Sequence, residues 1–328
     1  MTSRQQWQQA DTIACANIDR VMNIEMRGHG SLPRGMKWSM YLMAREAAGM
    51  PLVLAAALEF DRSPCRVLLA SGAAVPHHMP VGENDGPIGT AVLARTLTAI
   101  GHTVAVVTDP AAATAFRVLL QMLGVQAEVI EIGLDDQALQ ERLARDYDVF
   151  CAIERLGGNP NGIIYGATGV SRAEHRANLD LLFNSARRLG KRTVGIGDGG
   201  NEIGFGKVHE RLSREWPQYN YREVTPCGGG VYSVVETDVL LVANSSNMGA
   251  HAVTAGLALL RADLSLCHTA ESELALAHVG VGLGLIDGGS GLLRPWCDGV
   301  PPSANAAVVE VMRTIVAQSL APVGNRTF

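Results

Sequence analysis

The stretch Thr103-Val104-Ala105-Val106-Val107-Thr108-Asp109-Pro110, continued by A-A-A-T-A-F-R-V-L-L-Q-M-L-G-V-Q-A-E-V-I-E-I to Ile132, decides the fold. Its first six residues form a nearly continuous apolar, β-branched run without polar alternation, the pattern of a strand buried on both faces. Asp109-Pro110 then supplies a helix start. Residues 112–123 follow with helical spacing, and 127–132 read again as a strand. A strand, a helix of about a dozen residues and a second strand define a parallel βαβ unit.

The same alternation extends in both directions. Upstream, 66–70 (R-V-L-L-A) is strand-like and stops at Ser71-Gly72; a long loop follows, then a helix over 88–100. Downstream, helices are expected over 137–145, 176–189 (with Gly190 as the stop), 249–260 and 306–318, and strands over 148–153, 193–196 and 239–243. Residues 1–60 read as mostly helical, interrupted by the loop 27–35, which contains Arg27 and His29. The expected fold class is α/β: a Rossmann-like, doubly wound, mostly parallel sheet with helices on both faces, in one domain spanning 1–328.

Composition narrows the function classes. The chain has 328 residues, 47% apolar and 18% charged, with a formal net charge of -5. That content supports a large core and excludes disorder as the main state. No Lys/Arg run lines a face, so nucleic acid is not an expected partner. No apolar run approaches the ~20 residues that span a bilayer, and residues 1–7 have no apolar signal core. The six cysteines are scattered without a C-x-x-C pair, which suits reduced thiols in a cytoplasmic protein.

In open parallel sheets, ligands bind beyond the carboxyl ends of the strands. The loops after Ala70, Ile153, Ile196 and Ala243 should therefore gather on one edge, and their composition is unusual. Gly82-Glu83-Asn84-Asp85-Gly86-Pro87 brings two carboxylates to that edge, more than helix capping requires. Glu154-Arg155 opens the loop to Asn161-Gly162, and Arg155 is expected to grip a substrate carboxylate in its planar fork. Gly195-Ile196-Gly197-Asp198-Gly199-Gly200-Asn201-Glu202-Ile203-Gly204-Phe205-Gly206-Lys207 combines a backbone needing close approach with four polar or charged side chains. Asn244-Ser245-Ser246-Asn247 opens a helix, and His251, a turn further in, reads as a core histidine. Asp287-Gly288 and Asp298-Gly299 read as turns, and His77-His78 as a weak metal pair.

Gly195, Gly197 and Gly200 also satisfy G-x-G-x-x-G after a strand. Asp198 opposes that reading, because a carboxylate where a pyrophosphate meets the helix N-terminus repels it. No nucleotide cofactor is expected.

These motifs together resemble the C-terminal domain of the D-glutamate cyclase family. The resemblance rests on Glu83, Asp85, Gly86 and Pro87 as E-x-D-G-P, on Glu154-Arg155 with the following Asn-Gly, and on residues 195–206 as G-x-G-D-G-G-N-E-x-G-x-G. Element order agrees best over 66–260, with Asn84 and Phe205 where Thr and Met would be expected. The resemblance implies a hydro-lyase closing D-glutamate to 5-oxo-D-proline and water, or the reverse. Animal members carry a further domain ahead of this one, so a separately encoded partner domain is an expected alternative; a homo-oligomer is a separate expectation.

Ring closure requires neutralising the γ-carboxylate, taking a proton from the amine and stabilising an oxyanion. The expected catalytic residues are Asp198, Glu202 and Asp85. Arg155, Lys207, Asn201, Glu154 and Asn247 are expected to bind substrate. Glu83, Asp85 and Asp198 are the expected ligands of a divalent cation (Mg²⁺, Mn²⁺ or Ca²⁺), since all-oxygen sets suit these ions. The alternatives are a non-catalytic binder of an acidic metabolite and an NAD-dependent oxidoreductase.

Overall fold

In a computed structural model, which describes residues 3–28 and 32–322, six strands form one sheet. They are β1 (Arg66–Ala70), β2 (Thr103–Thr108), β3 (Glu128–Glu131), β4 (Val149–Ile153), β5 (Arg192–Gly197) and β6 (Val239–Val242). Their spatial order is β3-β2-β1-β4-β5-β6, and every neighbouring pair is parallel. The chain therefore runs outward from β1 through β3 and restarts on the other side at β4. That reversal leaves a crevice between the loops after β1 and β4.

Side-chain alternation sends each strand into two cores. Val67 and Leu69 of β1 face the larger layer, with Val104, Val106, Cys151 and Ile196. That layer contains α1 (Ser3–Met22), α3 (Leu52–Phe60), α4 (Pro87–Ala99), α5 (Pro110–Met122), α9 (Ser246–Arg261) and α11 (Pro302–Leu320). Leu68 and Ala70 face the smaller layer, where α6 (Gln137–Asp146) and α7 (Asp180–Arg188) contribute Leu139, Leu143, Leu182 and Phe183. Both faces of the sheet are thus covered, as its unbroken apolar strands require. The remaining helices are α2 (Met36–Ala48), α8 (His209–Glu215) and α10 (Ala270–Gly282).

Helix α7 starts at Asp180, not near 176 as its spacing suggests. The preceding residues make other bonds: Arg176 reaches the carbonyls of Ala73 and Ala74, and Asn178 Oδ1 accepts from the Asp180 N–H at 2.8 Å. Helix α10 carries no clear apolar stripe and was not legible in the sequence. Among the described residues no single helix is long and apolar enough to cross a membrane. All six cysteines are free thiols, and Cys15, Cys151, Cys267 and Cys297 are buried.

Candidate active site

Loop-to-loop pairing builds the site. Beyond the sheet edge, the loop after β4 runs against the glycine-rich loop after β5. Leu156 pairs with Glu202, the Gly157 N–H donates to Asn201 O at 2.9 Å, and the Ile203 N–H donates to Arg155 O at 2.9 Å. Glycine permits this fold-back, because a Cβ at Gly195 would lie 2.3 Å from the Ile203 carbonyl oxygen. The loop after β1 pairs in turn with the segment following α10, through Glu83 and Ile286. Gly86, at φ 96°, lets the loop pass Glu154: a Cβ there would lie 2.9 Å from the Glu154 Cβ.

A cavity of about 280 Å³ opens where these segments meet. Carboxylates of Glu83, Glu154, Asp198, Glu202 and Asp298 line it, with Asn201 and the cations Arg27, Lys37, Arg172 and Arg176. Oxygens of Asp85, Glu154 and Asp198 lie within 4.8 Å of one another. Glu154 occupies a left-handed backbone position, φ 51°, where a non-glycine residue is strained, and Ser246 Oγ donates to its Oε2 at 2.6 Å. Asp85 accepts from the N–H groups of Ser246 (2.9 Å) and Asn247 (2.7 Å), and so caps α9 rather than the helix it precedes.

Glu202 is completely buried. Its Oε1 accepts from the Asp198 and Gly199 N–H groups at 2.9 and 2.7 Å, whereas its Oε2 has no partner among the described residues. The backbone donors that a dinucleotide phosphate would use in a G-x-G-x-x-G turn are thus already occupied by a carboxylate of the chain itself.

The sequence reading missed Lys37. This α2 residue is 3% exposed and donates to Asp198, to Asn244 O (2.7 Å) and to Asp298 Oδ2 (3.0 Å). Burial alone would lower its pKa, but Asp198 and Asp298 raise it above the usual lysine value, so it stays charged. Asp298 sits at φ 51° in the expected turn, yet its carboxylate faces the site. Against the effect of burial, Lys37 holds that carboxyl below its usual range.

The other acids move upward. Burial, reinforced by Asp298, pushes Glu83 up to about 8 and Asp85 up to about 6. Burial and neighbouring carboxylates raise Glu154 well above its usual value, and burial raises Asp198 likewise despite Lys37. The pocket gathers more acidic side chains than cations, and protonation or a bound cation would relieve their mutual repulsion.

Several expected residues are engaged elsewhere. Arg155 is fully buried and does not reach the cavity; it forms an ion pair with Asp109 and donates to Ala177 O at 2.6 Å. It clamps the loops after β1, β2 and β4 instead of gripping a ligand. The Lys207 ammonium donates to Asp238 O at 2.7 Å, outside the cavity. Asn247 is a brace: its Oδ1 accepts from Gly86 N and Gly89 N at 3.0 and 2.7 Å, and its Nδ2 donates to Asn84 O at 2.9 Å. Glu154, not Glu83, completes the oxygen cluster with Asp85 and Asp198. Asn201 lines the cavity and donates to Tyr165 O at 2.8 Å. His77 and His78 are exposed and belong to no ligand cluster among the described residues. His29 lies outside the described residues.

A second cluster, His251, His268 and Glu273, is buried away from the cavity. The two Nε2 atoms lie 3.1 and 3.0 Å from Glu273 Oε2.

Together these features define a doubly wound α/β protein with an acid-rich pocket of about 280 Å³ at its switch point. Residues 27–313 match the family described as D-glutamate cyclase-like, C-terminal, and the chain belongs to that family. It is 30% identical over 199 residues to the mitochondrial D-glutamate cyclase of Homo sapiens, covering 56% of this chain and 31% of the human protein. The chain thus spans about a third of that relative's length. Two solved structures give distant likenesses. A Sinorhizobium meliloti dehydrogenase/reductase aligns at TM-score 0.30 and 13% identity, covering 80% of this chain and 91% of that one. A Serratia marcescens short-chain dehydrogenase/reductase aligns at TM-score 0.27 and 13% identity, covering 47% and 69%. Neither carries a functional argument.

Proposed function

We propose that this chain closes D-glutamate to 5-oxo-D-proline with loss of water, or opens the ring by the reverse hydration, in the cavity at the β1–β4 switch. One observation carries the reading within the family: a completely buried Glu202 whose Oε2 lacks a partner among the described residues and whose side chain lines a pocket holding both signs of charge.

The substrate is a small acidic amino acid. Its nitrogen attacks the carbonyl carbon of its own γ-carboxyl group, a C–N bond forms, and the C–O bond at that carbon breaks to release one oxygen as water. Holding the two ends together supplies much of the rate, because the reaction is intramolecular. The nitrogen loses two protons in all: the first, before attack, goes to Glu202 Oε2, the acceptor this reading assigns, and the second, as the C–N bond forms, to Asp198. Asp198, fixed by Lys37, would face the same nitrogen, while Asp85 holds the N-terminus of α9 in place. The leaving oxygen takes protons from the carboxyl groups lining the pocket, with Glu83 the donor of choice.

Asp85, Glu154 and Asp198 form an all-oxygen donor set of the kind that suits Mg²⁺, Mn²⁺ or Ca²⁺. An ion held there would polarise the γ-carboxyl as a Lewis acid.

The test incubates the purified chain with D- and L-glutamate and with both enantiomers of 5-oxoproline, with and without divalent ions, and follows the products by NMR. Interconversion of the D-pair supports the reading. Ligand-induced thermal stabilisation without any turnover would replace it with a non-catalytic binder.

A further inference from the structure

We propose that Arg172 anchors the substrate's α-carboxylate and thereby selects amino acids that carry one; this rests on the amino-acid reading above. Arg172 follows a short hairpin in which Tyr165 pairs with Ser171, and its own N–H donates to Ile164 O at 3.0 Å. Its guanidinium lies over Gly166, where a Cβ would be 2.8 Å from Nη2, so the hairpin backbone is shaped to receive it.

The other arginines near the site are committed. Arg155 is paired with Asp109, Arg176 is bound to the Ala73 and Ala74 carbonyls, and Arg27 lies against Leu32 O and Glu25. Arg172 alone among these lines the cavity half-buried with a guanidinium that makes no hydrogen bond or ion pair among the described residues. A partly desolvated guanidinium without a partner is costly, and its planar fork matches a carboxylate.

The chemistry decides which carboxylate it takes. The γ-carboxyl is the reacting group and must shed an oxygen as water, so it needs a proton donor or a Lewis acid rather than a guanidinium that never gives up its proton. The α-carboxylate keeps its charge throughout and can be held without opposing the reaction.

Arg172→Gln tests this. The Michaelis constants for D-glutamate and 5-oxo-D-proline should rise by roughly ten- to a hundredfold, the range of a charged hydrogen bond. The turnover number should change far less, and Arg172→Lys should recover part of the loss. Inhibition by 2-pyrrolidone, the lactam without that carboxylate, should be the same in variant and wild type, as should the thermal midpoint. An unchanged Michaelis constant, or an equal loss toward 2-pyrrolidone, overturns the role of Arg172 and leaves the parent reading standing. A wild-type chain that neither binds nor converts these acids overturns the parent reading, and this one with it.

Discussion

Arg155 shows how one side chain can stand beside a site and serve the fold. Its charge is satisfied by Asp109 in an environment that excludes water, and the same carboxylate accepts from the Ala177 N–H at 2.8 Å. Removing one partner of such a pair strands the other charge, which costs about 3–5 kcal/mol. Arg155→Met should therefore lower unfolding free energy by that amount in chemical denaturation. A variant with wild-type stability and only a raised Michaelis constant would restore Arg155 to the ligand. Lys37 is the converse case. Lys37→Met should leave Asp198 and Asp298 without their shared cation, with a lower thermal midpoint at neutral pH and a loss of turnover; wild-type activity in that variant would remove Lys37 and Asp198 from the site.

Elements meet the site through backbone close approach and through clips between helices. Gly195→Ala would drive a methyl group into the Ile203 carbonyl, a contact between two backbones that cannot relax cheaply. Overpacking of this kind costs about 1–3 kcal/mol and should also displace Glu202, so activity should fall more steeply than stability. The clip between α9 and α10 predicts a pH dependence. Burial and His251 hold His268 down to about 4, whereas unfolded it protonates near 6.5. Between those values the unfolded state binds more protons, so this contribution is intact above about 6.5 and is lost as the pH falls toward about 4. Glu273 adds in the same sense, its carboxyl held low by the two histidines against the effect of burial. His268→Gln should flatten the slope of unfolding free energy across that window; an unchanged slope would exclude the clip.

At the scale of the whole molecule, what was legible was what is local. Apolar strand runs and helix spacing lie in short windows, so the layered α/β architecture follows from them. The acid and glycine loops announce themselves by composition, and a parallel sheet sends them to one edge. Lys37 announced nothing: it is a single lysine in an ordinary helix, 161 positions from Asp198. Asp298 did form the expected turn, yet the turn also aims its carboxylate at Lys37. In sequence Arg155 points to a ligand, because Asp109, 46 positions away, reads only as a helix start. Long-range pairing of charges is set by the tertiary fold, and no window of sequence displays it. The central claim is that these distant loops surround one reacting amino acid, with Glu202 as its proton acceptor. It is tested most directly by NMR of D-glutamate conversion in wild type and Glu202→Gln, a variant that keeps an oxygen for the Asp198 and Gly199 N–H groups. The expected result is product with the wild type and a loss on the order of 10²–10⁴-fold in the variant, with the fold unchanged. Equal turnover by a folded Glu202→Gln protein would contradict the account.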